Sequence, residues 1–281
     1  MKTVSIIIPV HNRHDLLLNT LKSVFDQDIK YIRKQIIVVD EASNPSIKQY
    51  LKRNRPAYLK QIKLIRNDRA LGPSLARTKG INVANGDCFA FLDSDDLWRK
   101  DFLQSTTSKL PFNKSAIVTT LSYPYFIGEF RTSQKIFFSI LSNVRNVTFL
   151  ASWLFNGGKL SGKFLYMLRL SSSIFTKEAV NDVRFLMSYR TAEDWKFIWD
   201  CIRKNSPTFN IIPKTLVGLT YHQKSETARR SHFWGYYYKL IDELSESYRK
   251  SIPIKLFKLY TGFSVWRERS YGKLHYYPKK K

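Results

Sequence analysis

Short apolar runs alternate along the first third of the chain with stretches whose apolar residues recur at helical spacing. Thr3 to Val10 is β-branched and apolar with Pro9 at its end, which predicts a buried first strand. A loop, His11-Asn12-Arg13, follows. Leu17, Leu18, Leu21, Val24 and Phe25 then repeat with helical period, and Asp15 stands where a cap is expected. Gln35 to Val39 reads as a second strand ending in Asp40-Glu41, and Ile47 and Leu51 mark a short helix. Gln61 to Ile65 is a third strand, and Gly72-Pro73-Ser74 opens a helix through Leu75, Ala76, Ile81 and Ala84 that Asn85-Gly86 closes. Phe89 to Leu92 predicts a fourth buried strand, which runs into Asp93, Ser94, Asp95 and Asp96. Strand–helix alternation to about residue 100 predicts an α/β fold, a mostly parallel sheet flanked by helices. In such sheets ligands bind outside the carboxyl ends of the strands.

The pattern changes after that point. Ala116 to Leu121 reads as a strand, and Tyr123 to Leu170 mixes large apolar residues with Lys and Arg and a single acid, Glu129. Two readings fit this stretch, a helical core or a basic-aromatic surface of the kind that favours membrane interfaces. In Arg190 to Lys204, Trp195, Ile198, Trp199 and Ile202 recur at helical spacing, and Thr191 with Asp194 resembles a capping box. Asn210 to Leu219 is a further strand, leading to His222. From His232 the chain is helical and then basic-aromatic, with a run from Ile252 to Val265 compatible with an in-plane membrane helix.

Composition narrows the partners. With 47 Lys and Arg against 22 Asp and Glu in 281 residues, the formal net charge is +25. That favours an anionic partner: nucleic acid, an anionic membrane surface or an anionic substrate. No zinc-finger spacing, RRM signature or basic heptad helix supports nucleic acid. No apolar run reaches the ~18 residues of a membrane span, and the N-terminus reads as a strand rather than a signal peptide. Cys88 and Cys201 lie far apart and read as buried free thiols of a reducing compartment. The expected location is cytoplasmic, possible as a peripheral protein on the inner face of the cell membrane.

Three carboxylates in four positions repel one another unless a cation answers them. Asp93-Ser94-Asp95 is a D-x-D, a donor set suited to a hard divalent ion that also holds phosphates. The alternative is a solvated turn in which Asp96 caps the next helix. No glycine follows the first strand, so neither a dinucleotide fingerprint nor a Walker loop is present. A bound nucleotide's phosphates must then be neutralised by a metal and basic side chains.

VSIIIPVHNR, IIVVDEAS, LGPSLARTKGINVANGD and FLDSDDLW resemble, in order and spacing, the consecutive motifs of family 2 glycosyltransferases. The likeness covers about the first hundred residues, and Glu41 departs from it where the family more often has a second Asp. It implies the GT-A fold and an inverting transfer from a nucleotide-sugar, usually a UDP-sugar, with Mn²⁺ or Mg²⁺. Carried over by position, it implies nucleotide-sugar contacts at Pro9, Val10, Asn12, Asp40, Arg77, Asp93, Ser94 and Asp95. Asp95 becomes the metal ligand, with His222 of a late H-x-x-S-x-S/T element beside it, and Lys224, Arg229 and Arg230 near the departing diphosphate. Glu193-Asp194 matches the catalytic pair, Asp194 as general base and Glu193 orienting it or the acceptor. The domains implied are a transferase domain over 1–228, split near 100 into a nucleotide-sugar half and an acceptor half, and a helical basic-aromatic region over 229–281. The expected acceptor is a glycan or lipid-linked glycan of a bacterial surface polysaccharide. The rival from another class is a non-catalytic basic module that binds membrane or nucleic acid on a transferase-like scaffold, which would need neither acidic pair.

Overall fold

The computed structural model describes residues 1–155, 168–189 and 192–222. Strand β1 (Lys2–Val10) is followed by α1 (His14–Phe25), β2 (Ile32–Glu41), α2 (Ile47–Asn54), α3 (Pro56–Leu59), β3 (Ile62–Asn67) and α4 (Pro73–Val83). Then come β4 (Cys88–Phe91), β5 (Leu97–Trp98), α5 (Phe102–Thr107), β6 (Ala116–Phe126) and α6 (Thr132–Phe155). Strand β7 (Ser173–Thr176), α7 (Lys177–Val180), α8 (Glu193–Asn205) and β8 (Thr208–Tyr221) complete the described part. Residues 223–281, and with them Lys224, Arg229, Arg230 and the run from 252 to 265 compatible with an in-plane membrane helix, lie outside it.

One eight-stranded sheet runs in the order β3-β2-β1-β4-β7-β6-β8-β5. The first four strands are parallel neighbours, as the alternation predicts. Beyond them the sheet is mixed: β7 is antiparallel to both β4 and β6, and β6 and β8 run parallel. Side-chain alternation sorts the strands' apolar residues into two cores. Ile7, Ile37, Val39, Phe89 and Phe91 join α4 and α8 on one face. Val4, Ile6, Ile8, Val38 and Ala90 meet α1 and α2 on the other.

Two glycines set how α4 meets the sheet. Gly72, at φ 94°, makes the left-handed entry to the helix, a conformation cheap for a residue without Cβ. At Gly80 a Cβ would stand 2.4 Å from Ile7 Cγ2, so its absence lets the helix lie flat on β1. That close approach holds the preceding turn of α4, with Arg77, over the carboxyl end of the sheet.

Some local expectations fail for long-range reasons. Helix α1 begins at His14, so Asp15 lies in its first turn and accepts a hydrogen bond from Tyr50 Oη at 2.5 Å instead of capping. Asp101 rather than Asp96 precedes α5. The residue before α8 is Ala192, in the left-handed region at φ 62° with no side-chain cap, and Thr191 lies outside the described residues. Both cysteines are buried and free.

Candidate active site

The carboxyl ends of β1, β2 and β4, the start of α8 and the end of β8 converge on one cluster of charge. Arg77 stands at its centre. This guanidinium, 5% exposed, donates through Nη2 to Asp93 Oδ1 at 2.6 Å and through Nη1 to Glu193 Oε1 at 2.9 Å. It bridges the acidic turn after β4 and the first residue of α8, which lies 116 positions beyond Arg77 in sequence. Arg77 thus lies at the acidic cluster, where the motif places it, with both of its Nη atoms held by carboxylates. Burial opposes the Arg77 charge, but Asp93 and Glu193 outweigh it and hold the proton more firmly than usual.

The two carboxylates at the start of α8 are both less acidic than usual. Partial burial pushes Glu193 up to about 7, with Asp194 adding to the rise and Arg77 restraining it. Burial also raises Asp194, against the pull of Arg77 and a 2.8 Å hydrogen bond from the Trp195 backbone N–H. A helix N-terminus favours an ionised carboxylate, yet here desolvation wins.

The turn after β4 divides its acids among different duties. Asp93 is half-exposed beside Arg77, and its backbone carbonyl accepts from the Asp96 N–H at 3.0 Å to close the turn around a buried Ser94. Asp95 Oδ2 receives Arg13 Nη1 at 2.8 Å, and His222 Nε2 lies 3.1 Å from the same oxygen. The two residues to which the resemblance gives the metal thus lie side by side. Asp96 is buried, accepts from the Thr220 N–H at 3.0 Å, and is pushed well above the carboxylate range by burial and by Asp95 and Asp93. Its duty is to fasten β4's turn to β8, which also brings His222 into place.

The side expected to meet a nucleoside is tightly bound internally. Asn12, at φ 52°, donates its N–H to Ser43 Oγ at 3.0 Å and accepts from the Asn44 N–H at 2.8 Å, so the loops after β1 and β2 are tied together. Pro9 pairs with Val39 in the sheet, and the Val10 side chain is in the core. Asp40 is buried, and accepts from the N–H groups of Ser43 at 2.9 Å and Ile47 at 3.1 Å and from Arg66. Glu41 accepts from Asn67 Nδ2 and from the N–H groups of Leu71 at 2.7 Å and Gly72 at 2.9 Å. The longer Glu41 side chain is thus used to hold the loop that starts α4. Arg13, at the end of the first matched motif, and Arg66 and Asn67, outside the motifs, hold Asp95, Asp40 and Glu41, contacts that the resemblance does not carry over.

Among the described residues no three His, Cys, Asp or Glu side chains converge as a ready-made metal cage. The donor set at Asp95 and His222 still fits a divalent ion that takes its remaining ligands from phosphates and water, as Mg²⁺ does with one or two carboxylates. Imidazole nitrogen beside carboxylate is also compatible with Mn²⁺.

Residues 5–173 match the model of Glycosyl transferase family 2. The chain belongs to this family. Over 106 residues it is 35% identical to the amylovoran biosynthesis glycosyltransferase AmsB of Erwinia amylovora, a match over 37% of this chain and 34% of that protein. The matched segments span between 19% and 39% of the first curated relatives' lengths. The GT-A-like fold is shared with the mannosyltransferase PcManGT of Pyrobaculum calidifontis, solved with GDP-Man and Mn²⁺. The TM-score is 0.67 at 15% identity, over 95% of this chain and 73% of that one. S. aureus TarS, solved with UDP-GlcNAc, matches with TM-score 0.60 at 18% identity, over 96% of this chain and 75% of that one.

Proposed function

We propose that this family member is a metal-dependent inverting glycosyltransferase. It moves a hexosyl or N-acetylhexosaminyl group from a UDP-sugar to a hydroxyl of a glycan or lipid-linked glycan acceptor in bacterial surface polysaccharide synthesis. The observation that carries the reading is the Arg77 bridge, which joins the D-x-D turn and the Glu193-Asp194 pair in one site. A binding module would have no use for two acidic pairs drawn together around one cation. AmsB, named for amylovoran biosynthesis, supports the polysaccharide class, and the UDP-GlcNAc and GDP-Man complexes of TarS and PcManGT support a nucleotide-sugar donor.

In this mechanism Asp194 takes the proton of the acceptor hydroxyl as its oxygen attacks the anomeric carbon. The bond to the diphosphate oxygen breaks on the opposite face, and the nucleoside diphosphate leaves with the electron pair. Glu193, fixed by Arg77, orients the base. Asp95 and His222 would hold the ion, which when bound offsets the charge developing on the leaving diphosphate.

The test is diphosphate release from a panel of nucleotide sugars with oligosaccharide acceptors, with and without Mn²⁺. One donor should give Mn²⁺-dependent release that a chelator abolishes, and Asp95→Asn should remove it while the circular dichroism spectrum stays unchanged. Full turnover in chelator would contradict the metal assignment, and no release from any donor would contradict the transferase reading.

The membrane is the proposed route to a lipid-linked acceptor. Among the described residues no helix is long and apolar enough to cross a bilayer. Helix α6 docks Phe138 and Phe149 inward while Ile136, Ile140 and Val147 are exposed, and it carries no acid. Residues 251–281 add eight Lys and Arg against Glu268. Each cation near an anionic bilayer contributes about 1 kcal/mol at low salt. The protein should sediment with anionic liposomes at low salt and be released at high salt, and deletion of 251–281 should weaken the binding. Equal recovery on neutral vesicles, insensitive to salt, would dismiss this surface.

A further inference from the structure

Asp95 is answered by a cation to which the matched motifs carry no role. Arg13 sits in the loop between β1 and α1, 82 positions before Asp95, and its Nη1 is 2.8 Å from Oδ2. Oδ2 is also the oxygen that faces His222 Nε2 at 3.1 Å. The Asp95 side chain is 10% exposed, while that of Arg13 is 27% exposed and so has room to turn. Asp93 lies two positions from Asp95, and a like charge nearby makes an unanswered Asp95 carboxylate costlier.

We propose that Arg13 and the divalent ion are alternative occupants of Asp95 Oδ2. The guanidinium holds the carboxylate while the site has no ion, and entry of the ion displaces it. Displaced from Oδ2, Arg13 is at the carboxyl ends of the strands, where a diphosphate would be held, and a guanidinium is a preferred partner for phosphate oxygens. Arg13 is therefore a positioning residue that exchanges one anion for another as ion and donor arrive. The inference rests on Asp95 as metal ligand, as proposed above.

Exchange gives effects of opposite sign, which a merely structural arginine would not. In Arg13→Gln the ion no longer competes with a guanidinium, so Mn²⁺ alone, read by loss of the free-ion electron paramagnetic resonance signal, should bind about tenfold more tightly. That is the scale of one charge-assisted hydrogen bond. UDP measured calorimetrically in saturating Mn²⁺ should bind about tenfold more weakly, because the diphosphate has lost its guanidinium. Arg13→Lys keeps the charge and should stay near wild type for Mn²⁺, with circular dichroism confirming that each variant is folded.

Weakened binding of both probes in Arg13→Gln, unchanged Mn²⁺ binding, or no Mn²⁺ binding by either protein at millimolar ion would overturn the proposal. Asp95→Asn separates this failure from that of the underlying reading. Undiminished Mn²⁺ binding there would dismiss Asp95 as ligand. Lost binding there, with Arg13→Gln unchanged, would dismiss the exchange alone.

Discussion

Asp194→Asn should lower turnover by about 10²- to 10⁴-fold, the range that a positioned general base contributes. The substitution keeps the size of the side chain and an oxygen able to accept the Trp195 N–H bond, so the start of α8 should keep its form. What it removes is the ability to take a proton. Because the base acts on the acceptor, binding of UDP in Mn²⁺ should stay near wild type while kcat and kcat/KM fall together. The pH profile supplies an independent readout. A base works deprotonated, and burial raises the Asp194 carboxyl, so wild-type activity should fall on acidification at an apparent pKa above the usual carboxylate range. That value belongs to the Glu193-Asp194 pair rather than to either alone. A variant that unfolds, with turnover per folded molecule preserved, would make Asp194 a structural residue of the helix start.

How much of this was legible in the chain depends on the distance between partners. Strands β1 to β4 were readable because each is an apolar run bounded by turn residues, and sequential βαβ units leave little choice of topology. The antiparallel insertion of β7 was not. Its four residues, Ser173 to Thr176, are as polar as apolar, and their place between β4 and β6 is set by pairing with strands far away in sequence. The same holds within the site. The acids of the D-x-D and Glu193-Asp194 announce themselves through motifs, whereas Asp96 has local features that suit a cap. Its partner, the Thr220 N–H, is 124 positions away, beyond any local pattern. Arg13 looks like any solvated loop cation until the fold places Asp95 beside it. Arg77 was placed near the acids by its motif, but its second partner, Glu193, could be assigned to it only once α8 was packed against α4's face of the sheet.

Arg77→Met should destabilise the fold by about 3–5 kcal/mol on the alkaline side of neutrality, where Glu193 is ionised, the cost of removing one partner from a buried ion pair. Methionine keeps much of the volume and the contact with Phe185, whose ring centre is 5.4 Å from the guanidinium carbon, so the loss is chiefly of charge. Asp93 is half-exposed and can turn to water, but Glu193, with a side chain 13% exposed, cannot. The pH dependence then separates electrostatics from packing. In the wild type the Glu193 carboxyl is raised from 4.5 to about 7, chiefly by burial. The native state therefore binds more protons than the unfolded one in that window. Its contribution is fully present below 4.5 and declines as pH rises towards 7. Arg77 restrains that rise, so removing it carries the native value further up and extends the decline to higher pH. Urea unfolding of wild type and variant should accordingly show a small deficit at about pH 5, where Glu193 is protonated and needs no partner, and the full deficit at about pH 8. A deficit independent of pH would mean that Arg77 acts through packing. A pH-dependent deficit would establish that the Arg77 charge is what holds the turn after β4 and the first acid of α8 together.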